Sequence, residues 1–314
     1  MQELIKNIKE NINQVIVGKG EVIELLITAL LAEGHVLIDD VPGMGKTKMA
    51  NSLARSMNVD FKRIQFTPDL QPADITGIYY YNQKIGDFKF RPGPIHSNII
   101  LADEINRAVP RTQSSLLEAM EERQVTVEGE ELKLEEPFIV VATQNPVELE
   151  GTFPLPEAQL DRFLLKIDVG YPTQSEEVEI MKRFKSADPL VNLQAVVNTE
   201  DILSMRQRVK EVKISDDLLI YISSLCNKTR NDENIKLGVS PRGALALMKA
   251  SQAYALIRGR DFVLPDDIKY LFPYVISHRL ILAYDSEYSG VKKEEIIENI
   301  LKEVTVPVEG VISE

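Results

Sequence analysis

The residues of this chain that could do chemistry are concentrated in a glycine-rich turn between a short apolar run and a segment with helical periodicity. The run Val36–Asp39 precedes the turn, and Gly45-Lys46-Thr47 opens the helical segment. Backbone N–H groups of such a turn, assisted by the helix dipole, hold phosphate oxygens. Lys46 would reach the β- and γ-phosphates of ATP, and the Thr47 hydroxyl would bind Mg²⁺. The residues predicted to form this nucleotide site are Asp40, Val41, Pro42, Gly43, Met44, Gly45, Lys46, Thr47 and Lys48.

One position of the turn departs from the strict phosphate-binding pattern, which has glycine five residues before Gly45, where this chain has Asp40. The alternative interpretation is an ordinary strand–turn–helix corner that contains Gly-Lys-Thr by chance. Apolar residues at helical spacing after the turn favour the nucleotide site, because they indicate that the turn opens an amphipathic helix. These residues are Ala50, Leu53, Ala54 and Met57.

Two acidic residues, Asp103 and Glu104, follow the apolar run 99–102. Such a run predicts a buried parallel strand, and the carboxyl ends of these strands are where open α/β sheets bind ligands. We expect Asp103 to hold Mg²⁺ through water and Glu104 to act as the general base on the attacking water. The alternative is a solvated strand end without a catalytic role.

A third polar position, Asn145, follows another strand-like run over Phe138–Ala142. Its amide would lie at the same sheet edge and could orient the lytic water against the γ-phosphate. The alternative is that Asn145 only forms the turn before Pro146. The sequence leaves both interpretations open at this point.

Two arginines, Arg162 and Arg242, stand in contexts that could bring them to a phosphate. Arg242 lies near a helix start, with Ser240 as N-cap and Pro241 at the first helical position. A cation there is unfavourable for the helix dipole, and a nearby phosphate would offset that cost. Spacing alone nevertheless favours solvated surface cations for both arginines.

The pattern of elements changes near Gly170-Tyr171-Pro172. Before it, strand-like runs alternate with helical segments, which predicts an α/β fold with a parallel sheet and helices on both faces. The predicted strands are Val36–Asp39, Phe61–Phe66, Ile99–Ala102, Phe138–Ala142 and Leu164–Ile167. We therefore expect a nucleotide-binding domain over residues 1–171.

After residue 171 the pattern becomes helical, and we expect a smaller all-helical lid domain over residues 172–314. Thr173-Gln174-Ser175-Glu176 has the form of a capping box and opens the first helix. Further helices are predicted at about Glu200–Val212, Asp216–Thr229, Pro241–Arg258, Pro265–His278 and Lys292–Glu303.

Two insertions interrupt the nucleotide-binding domain, and both have the pattern of a β-hairpin. The first spans Tyr79–Phe90, with aromatic and β-branched arms around Gly86-Asp87, and the second spans Gln124–Leu134, turning at Glu128–Glu131. Each hairpin could contact a partner or could be structural only.

Composition narrows the class of protein. The 314 residues suggest two domains, and the formal charge of −12 is unfavourable for non-specific binding to nucleic acid. The lone Cys226 excludes an intrachain disulfide, and the three histidines have no metal-ligand spacing. No apolar run approaches the ~20 residues of a membrane span, and no signal peptide is visible, so we expect a cytoplasmic protein.

Eight stretches carry a resemblance to a known family. They are Asp40–Thr47, Phe66–Gly77, Phe90–Ile95, Leu101–Ala108, Gln113–Val125, Ala142–Pro146, Phe153–Phe163 and Ser240–Ala244. On these stretches the chain resembles MoxR-type ATPases of the AAA+ superfamily, from about Val15 to the C-terminus. An acid at position 40 also occurs in that family. The resemblance implies a P-loop NTPase core followed by a helical lid.

The resemblance also implies roles for single residues and for partners. Asn145 would take the sensor-1 role, Arg242 the sensor-2 role, and Arg162 would be the arginine finger that reaches a neighbouring subunit's site. The two hairpins would face the central pore of a ring or a partner. The implied assembly is a homo-oligomeric ring, with a hexamer favoured. The implied activity is chaperone-like maturation of protein clients, including proteins with a von Willebrand factor A domain.

Three alternatives stay open. A metal-chelatase motor subunit has the same core but works with two dedicated partner subunits. A nucleic-acid motor is disfavoured by the acidic charge. A nucleotide-gated binding module would change shape with little turnover.

Overall fold

The computed structural model describes residues 1–39, 43–145 and 151–307, except the side chain of Glu287. The five strands that the sequence predicts form one parallel sheet with the order β2-β5-β8-β1-β9. The strands are β1 (Val36–Asp39), β2 (Phe61–Gln65), β5 (Ile99–Asp103), β8 (Ile139–Gln144) and β9 (Leu165–Ile167). The predicted α/β fold with a parallel sheet is confirmed.

The central strands are apolar up to their polar carboxyl ends, because helices cover both faces of the sheet. Each residue of Ile99–Ala102 is fully buried, and β8 is buried up to its last residue. The helices of this region are α1 (Gln2–Asn13), α2 (Gly20–Leu31), α3 (Lys46–Ser56), α4 (Pro72–Thr76), α5 (Pro110–Glu122) and α6 (Glu157–Leu160).

The strand register aligns the carboxyl ends of four neighbouring strands. Gln65 pairs with Asp103, and Ile38 pairs with Thr143. Polar side chains that are about 40 residues apart along the chain are thereby brought to one edge of the sheet. This edge is where the nucleotide site is predicted.

Both predicted hairpins are present as antiparallel pairs. The first consists of β3 (Gly77–Asn82) and β4 (Asp87–Pro92), and the second of β6 (Gln124–Val127) and β7 (Glu130–Lys133). The second turn is tighter than the predicted Glu128–Glu131, because only residues 128 and 129 lie between the two strands.

The chain after residue 171 is mainly helical where the prediction was all-helical, and helices at all the predicted places are confirmed. They are α7 (Gln174–Phe184), α8 (Thr199–Glu211), α9 (Asp216–Arg230), α10 (Pro241–Ile257), α11 (Pro265–Ile276), α12 (Tyr284–Tyr288) and α13 (Lys293–Glu303). A small antiparallel pair, β10 (Ile235–Leu237) and β11 (Ile281–Leu282), lies among them. These strands are too short for their alternation to be read from sequence. The domain boundary at residue 171 stays a prediction.

A cluster of buried apolar side chains extends from the sheet region into the lid region. It includes Leu26 of α2, Leu247 of α10 and the predicted core residue Cys226. Burial raises the pKa of the Cys226 thiol to about 11, so this thiol stays protonated near neutral pH. Among the helices that the structure describes, none has the length and apolar character needed to cross a membrane.

Candidate functional site

Two glycines shape the described part of the phosphate-binding turn. Gly43 and Gly45 have φ angles of +91° and +81°, which residues with a side chain rarely adopt. A Cβ at either position would meet no atom of the described residues within 4 Å, so this part of the turn borders space that a ligand can enter. Gly45 is the N-cap of α3, and its helix dipole points at that space. The predicted residues Asp40, Val41 and Pro42 lie outside the described residues.

A cavity of about 350 Å³ adjoins this turn and brings most of the predicted site residues together. It is lined by Gly43, Met44, Gly45, Lys46, Thr47, Lys48, Arg63, Asp103, Glu104, Thr143, Gln144 and Asn145. Arg63, Thr143 and Gln144 were not predicted from the sequence. Thr143 and Gln144 could have been found, because they precede Asn145 at the end of the same strand.

Asp103 is held by hydrogen bonds to both of its carboxylate oxygens. Thr143 Oγ1 donates to Oδ1 at 2.6 Å, and Arg63 donates to Oδ2 from Nε at 3.0 Å and from Nη2 at 2.6 Å. The carboxylate and the Thr47 hydroxyl line one cavity, and hard oxygen ligands of this kind suit Mg²⁺ that also keeps waters and phosphate oxygens. The residues present therefore fit a magnesium ion bound with a nucleotide.

Glu104 is oriented by its backbone and by two side chains. Its φ of +56° is unusual for a residue other than glycine, and its backbone N–H donates to Thr143 Oγ1 at 2.9 Å. Gln65 Nε2 and Arg107 Nη1 donate to the Glu104 carboxylate at 2.8 and 2.9 Å. The carboxylate is thus fixed beside Asp103 on the wall of the cavity.

Asn145 directly follows β8, is only 7 % exposed and lines the same cavity. Its place at the sheet edge agrees with what the sequence indicates. Pro146, on which the turn-forming alternative depends, lies outside the described residues. The sensor-1 role of Asn145 stays a prediction.

A second cavity, of about 280 Å³, adjoins the phosphate-binding turn on its other side and is mostly apolar. Its walls are Val15, Ile16, Val17, Lys19, Gly43, Met44, Gly45, Lys48, Pro172, Ile180 and Phe184. A flat, apolar nucleobase fits such a wall next to a phosphate site. Gly43, Met44, Gly45 and Lys48 belong to the predicted nucleotide site, whereas the other residues were missed, because they come from two distant segments whose patterns do not indicate a nucleobase.

Lys48 connects the turn to the lid region. Its ammonium pairs with Asp188 and lies 4.6 Å from the centre of the Phe184 ring. The hydrogen bond from Lys48 lowers the pKa of the Asp188 carboxyl. Lys48, one of the residues predicted to form the nucleotide site, therefore lies between the two cavities, and its ammonium is paired with Asp188.

The two predicted arginines bind the same carboxylate and border a cavity other than the one that Lys46 lines. Arg162 Nε donates to Glu121 Oε2 at 3.1 Å, and Arg242 donates to the other oxygen of the same carboxylate. Both arginines border a separate cavity of about 460 Å³, and neither is among the described residues that line the phosphate cavity. Their finger and sensor-2 roles stay predictions.

Comparison with protein-family models identifies two regions of the chain. Residues 35–165 match the model described as the ATPase family associated with various cellular activities (AAA), and residues 227–300 match the AAA lid domain. These regions contain the phosphate cavity and the Arg242 helix, respectively.

Similar proteins cover nearly the whole chain. This chain is 51% identical over 309 residues to the "uncharacterized protein YeaC" of Bacillus subtilis. The aligned part covers 98% of this chain and 97% of the relative. The chain is 40% identical over 305 residues to "chaperone MoxR1" of Mycobacterium tuberculosis, spanning 94% and 80%. The crystal structure of a Cytophaga hutchinsonii protein superposes with a TM-score of 0.92 at 41% identity, covering 98% of this chain and 96% of that one.

Proposed function

Because the chain belongs to the MoxR family of AAA+ ATPases, we propose that it hydrolyses ATP with Mg²⁺ and uses the turnover to remodel, mature or activate protein partners. The observation that carries this proposal is one cavity lined by Lys46, Thr47, Asp103, Glu104 and Asn145. A phosphate-binding turn, two carboxylates and an amide are the groups that phosphoryl transfer to water needs.

The residues of the cavity divide the reaction between them. Lys46 and the N-terminus of α3 bind the β- and γ-phosphates, and Thr47 with Asp103 would hold Mg²⁺, which supplies charge neutralisation when bound. Asn145 orients a water at the γ-phosphate. Glu104, held by Gln65 and Arg107, accepts a proton from that water as it attacks.

The position of the two predicted arginines outside the phosphate cavity supports the proposed ring. The cavity has Lys46 for the phosphates, whereas Arg162 and Arg242 border a different cavity of the same chain. A guanidinium supplied by a neighbour would stabilise charge in the transition state. We propose a homo-oligomeric ring with a hexamer favoured.

The proposed client is a protein, with von Willebrand factor A domains as candidates, and the proposed compartment is the cytoplasm. The name of the mycobacterial relative, a chaperone, supports a protein client. The metal-chelatase motor subunit and the nucleotide-gated binding module are the alternatives that differ in partner and in turnover.

Two variants test the assignment of the cavity. Lys46→Ala should weaken ATP binding, because a point charge on the β/γ-phosphates is lost. Glu104→Gln should keep ATP binding and slow hydrolysis, since a carboxamide cannot accept the proton of the water. Binding of a fluorescent ATP analogue and phosphate release are measured on the same preparations. Hydrolysis by Glu104→Gln at the parent rate would show that Glu104 is not the base.

The number of ATP molecules that each subunit hydrolyses distinguishes an ATPase from a nucleotide-gated binding module. The purified protein, alone and with candidate clients, should release many phosphates per subunit. A single stoichiometric release followed by none, in both settings, would support the binding module instead.

A further inference from the structure

Glu121 lies in the last turn of α5 and binds two arginines that are far from it in sequence. Its Oε2 accepts from Arg162 at 3.1 Å, and its Oε1 accepts from Arg242. An anion in the last turn of a helix is unfavourable for the helix dipole, so two bound cations offset that cost. No function assigned so far to the phosphate cavity uses this carboxylate.

The backbone segments that carry the two arginines are joined next to this contact. Asp161, the residue before Arg162, accepts from the Ser240 hydroxyl at 2.9 Å, and Ser240 is the N-cap of the helix that carries Arg242. Asp161 also accepts from Arg279 Nε at 2.7 Å, and the side chain of Arg279 is only 3 % exposed. This partly buried joint constrains how far apart the two arginine backbones lie.

The side chains of Arg162 and Arg242 need a separate constraint, because both guanidiniums are partly exposed and carry like charges. Their exposed fractions are 29 and 44 %. Arg162 has one additional anchor, a 2.7 Å hydrogen bond from Nη1 to the Leu117 carbonyl. The single carboxylate between them removes their repulsion and holds both within reach of one anionic ligand.

We propose that Glu121 is a positioning residue that holds Arg162 and Arg242 as a pair for the phosphates of a neighbouring subunit's nucleotide. This inference rests on the proposed function. It follows from two facts: both arginines lie outside the phosphate cavity of their own chain, and both are bound to the same carboxylate while still accessible. Glu121 acts through the arginines and touches no nucleotide in its own subunit.

Loss of the carboxylate should leave the fold and the nucleotide cavity intact, because the Asp161 joint and α3 do not depend on it. The two arginines would then separate and sample other rotamers. Misplacement of a catalytic group by about 1 Å can reduce a rate by up to about 10²-fold. We therefore expect a steep loss of hydrolysis without a loss of ATP binding.

The experiment mixes two kinds of inactive subunit. Arg162→Ala subunits are acceptors with a sound nucleotide cavity, and Lys46→Ala subunits are donors with intact arginines. Phosphate release after mixing measures how well the arginines of the donor subunits restore hydrolysis at the nucleotide cavities of the acceptor subunits. The donor is then changed to Lys46→Ala/Glu121→Gln or to the matched control Lys46→Ala/Glu122→Gln, since Glu122 is an exposed neighbour that loses the same charge. Sedimentation confirms that each pair co-assembles.

We expect ATP hydrolysis to recover with the parent donor, which carries only Lys46→Ala, and with the Glu122→Gln control. Recovery with the Glu121→Gln donor should be roughly 10- to 100-fold lower. Glu121→Gln placed in the acceptor should reduce recovery much less than in the donor. Equal recovery with the Glu121→Gln and parent donors would overturn the positioning role. An equal loss from either side would also overturn it, because Glu121 would then serve assembly or its own cavity.

Two controls make the outcomes distinguishable. Absence of recovery with the Lys46→Ala donor, in a mixture that co-assembles, would contradict the arginine supplied by a neighbour, on which this inference rests, while the Lys46→Ala and Glu104→Gln tests of ATP hydrolysis would stand. If Glu121→Gln prevents co-assembly, Glu121→Asp donors are used, because they keep the charge on a shorter side chain. Glu121→Asp should recover more than Glu121→Ala, and equal recovery by these two would overturn the proposal.

Discussion

At the scale of single residues, Asp103, the carboxylate proposed to hold Mg²⁺, already has a cationic partner in its own chain. Arg63 makes two hydrogen bonds to Asp103 Oδ2 and lines the phosphate cavity. A guanidinium at this oxygen competes with a divalent cation for the same negative charge. We therefore expect Arg63 to raise the Mg²⁺ concentration that is needed before Asp103 can hold the metal.

Arg63→Gln should lower the Mg²⁺ concentration that gives half-maximal binding of a fluorescent ATP analogue. The ion pair is partly exposed, and such pairs contribute about 0.2–1 kcal/mol, so a shift of only a few-fold is expected. Binding in EDTA should weaken, because a cation of the cavity is lost. Lys62→Gln, on the same strand and exposed, is the matched control. An unchanged or higher Mg²⁺ requirement would contradict the competition.

Whether a site residue could be predicted from the sequence depends on how many residues separate it from its contact partners along the chain. Lys46, Thr47, Asp103 and Glu104 stand in contiguous motifs whose chemistry can be recognised locally. Contacts such as those of Arg63 with Asp103 join neighbouring strands that are 40 residues apart, and the contacts of Glu121 join a helix end to two other segments. Such contacts depend on strand order and helix packing, which no short pattern encodes.

At the scale of elements, the parallel strands were predictable from continuous apolar runs and the lid helices from helical spacing and capping signals. The short strands β10 and β11 and the joints between elements were not. Two buried histidines form such joints. His35 Nδ1 accepts from the Val140 N–H at 2.9 Å while Nε2 donates to the Met120 carbonyl at 2.9 Å. His278 Nε2 lies 3.0 Å from the Phe163 carbonyl oxygen.

The free energy of unfolding should fall as the pH drops from about 6.5 to 5. Burial lowers the pKa of both His35 and His278 well below 6.5, and nearby arginines add to the effect. Below pH 6.5 the unfolded chain therefore binds protons that the folded chain does not. The slope reaches at most about 1.4 kcal/mol per pH unit for each histidine.

Urea unfolding at several pH values measures this slope. A His35→Gln/His278→Gln variant keeps hydrogen-bonding groups at both positions without a titrating ring, so its dependence on pH between 6.5 and 5 should be shallower. A parent protein whose stability does not change over this interval would contradict the assignment of neutral, buried rings.

At the scale of the whole molecule, the formal charge of −12 argues against nucleic acid as the partner. Binding to duplex or single-stranded DNA at physiological salt should be no tighter than ordinary non-specific binding, with Kd of about 10⁻⁴–10⁻⁶ M. Fluorescence anisotropy with labelled DNA measures this affinity. A nanomolar Kd in the same buffer would favour the nucleic-acid motor instead.

The central claim is an ATPase whose site is completed by a neighbouring subunit, and the specific activity at increasing protein concentration tests it most directly. Because we propose that a neighbouring subunit supplies Arg162 and Arg242 to the phosphates, activity per subunit should rise with concentration. ATP should favour larger species in sedimentation over the same range. Activity per subunit that stays constant from the monomer range upward would contradict the account.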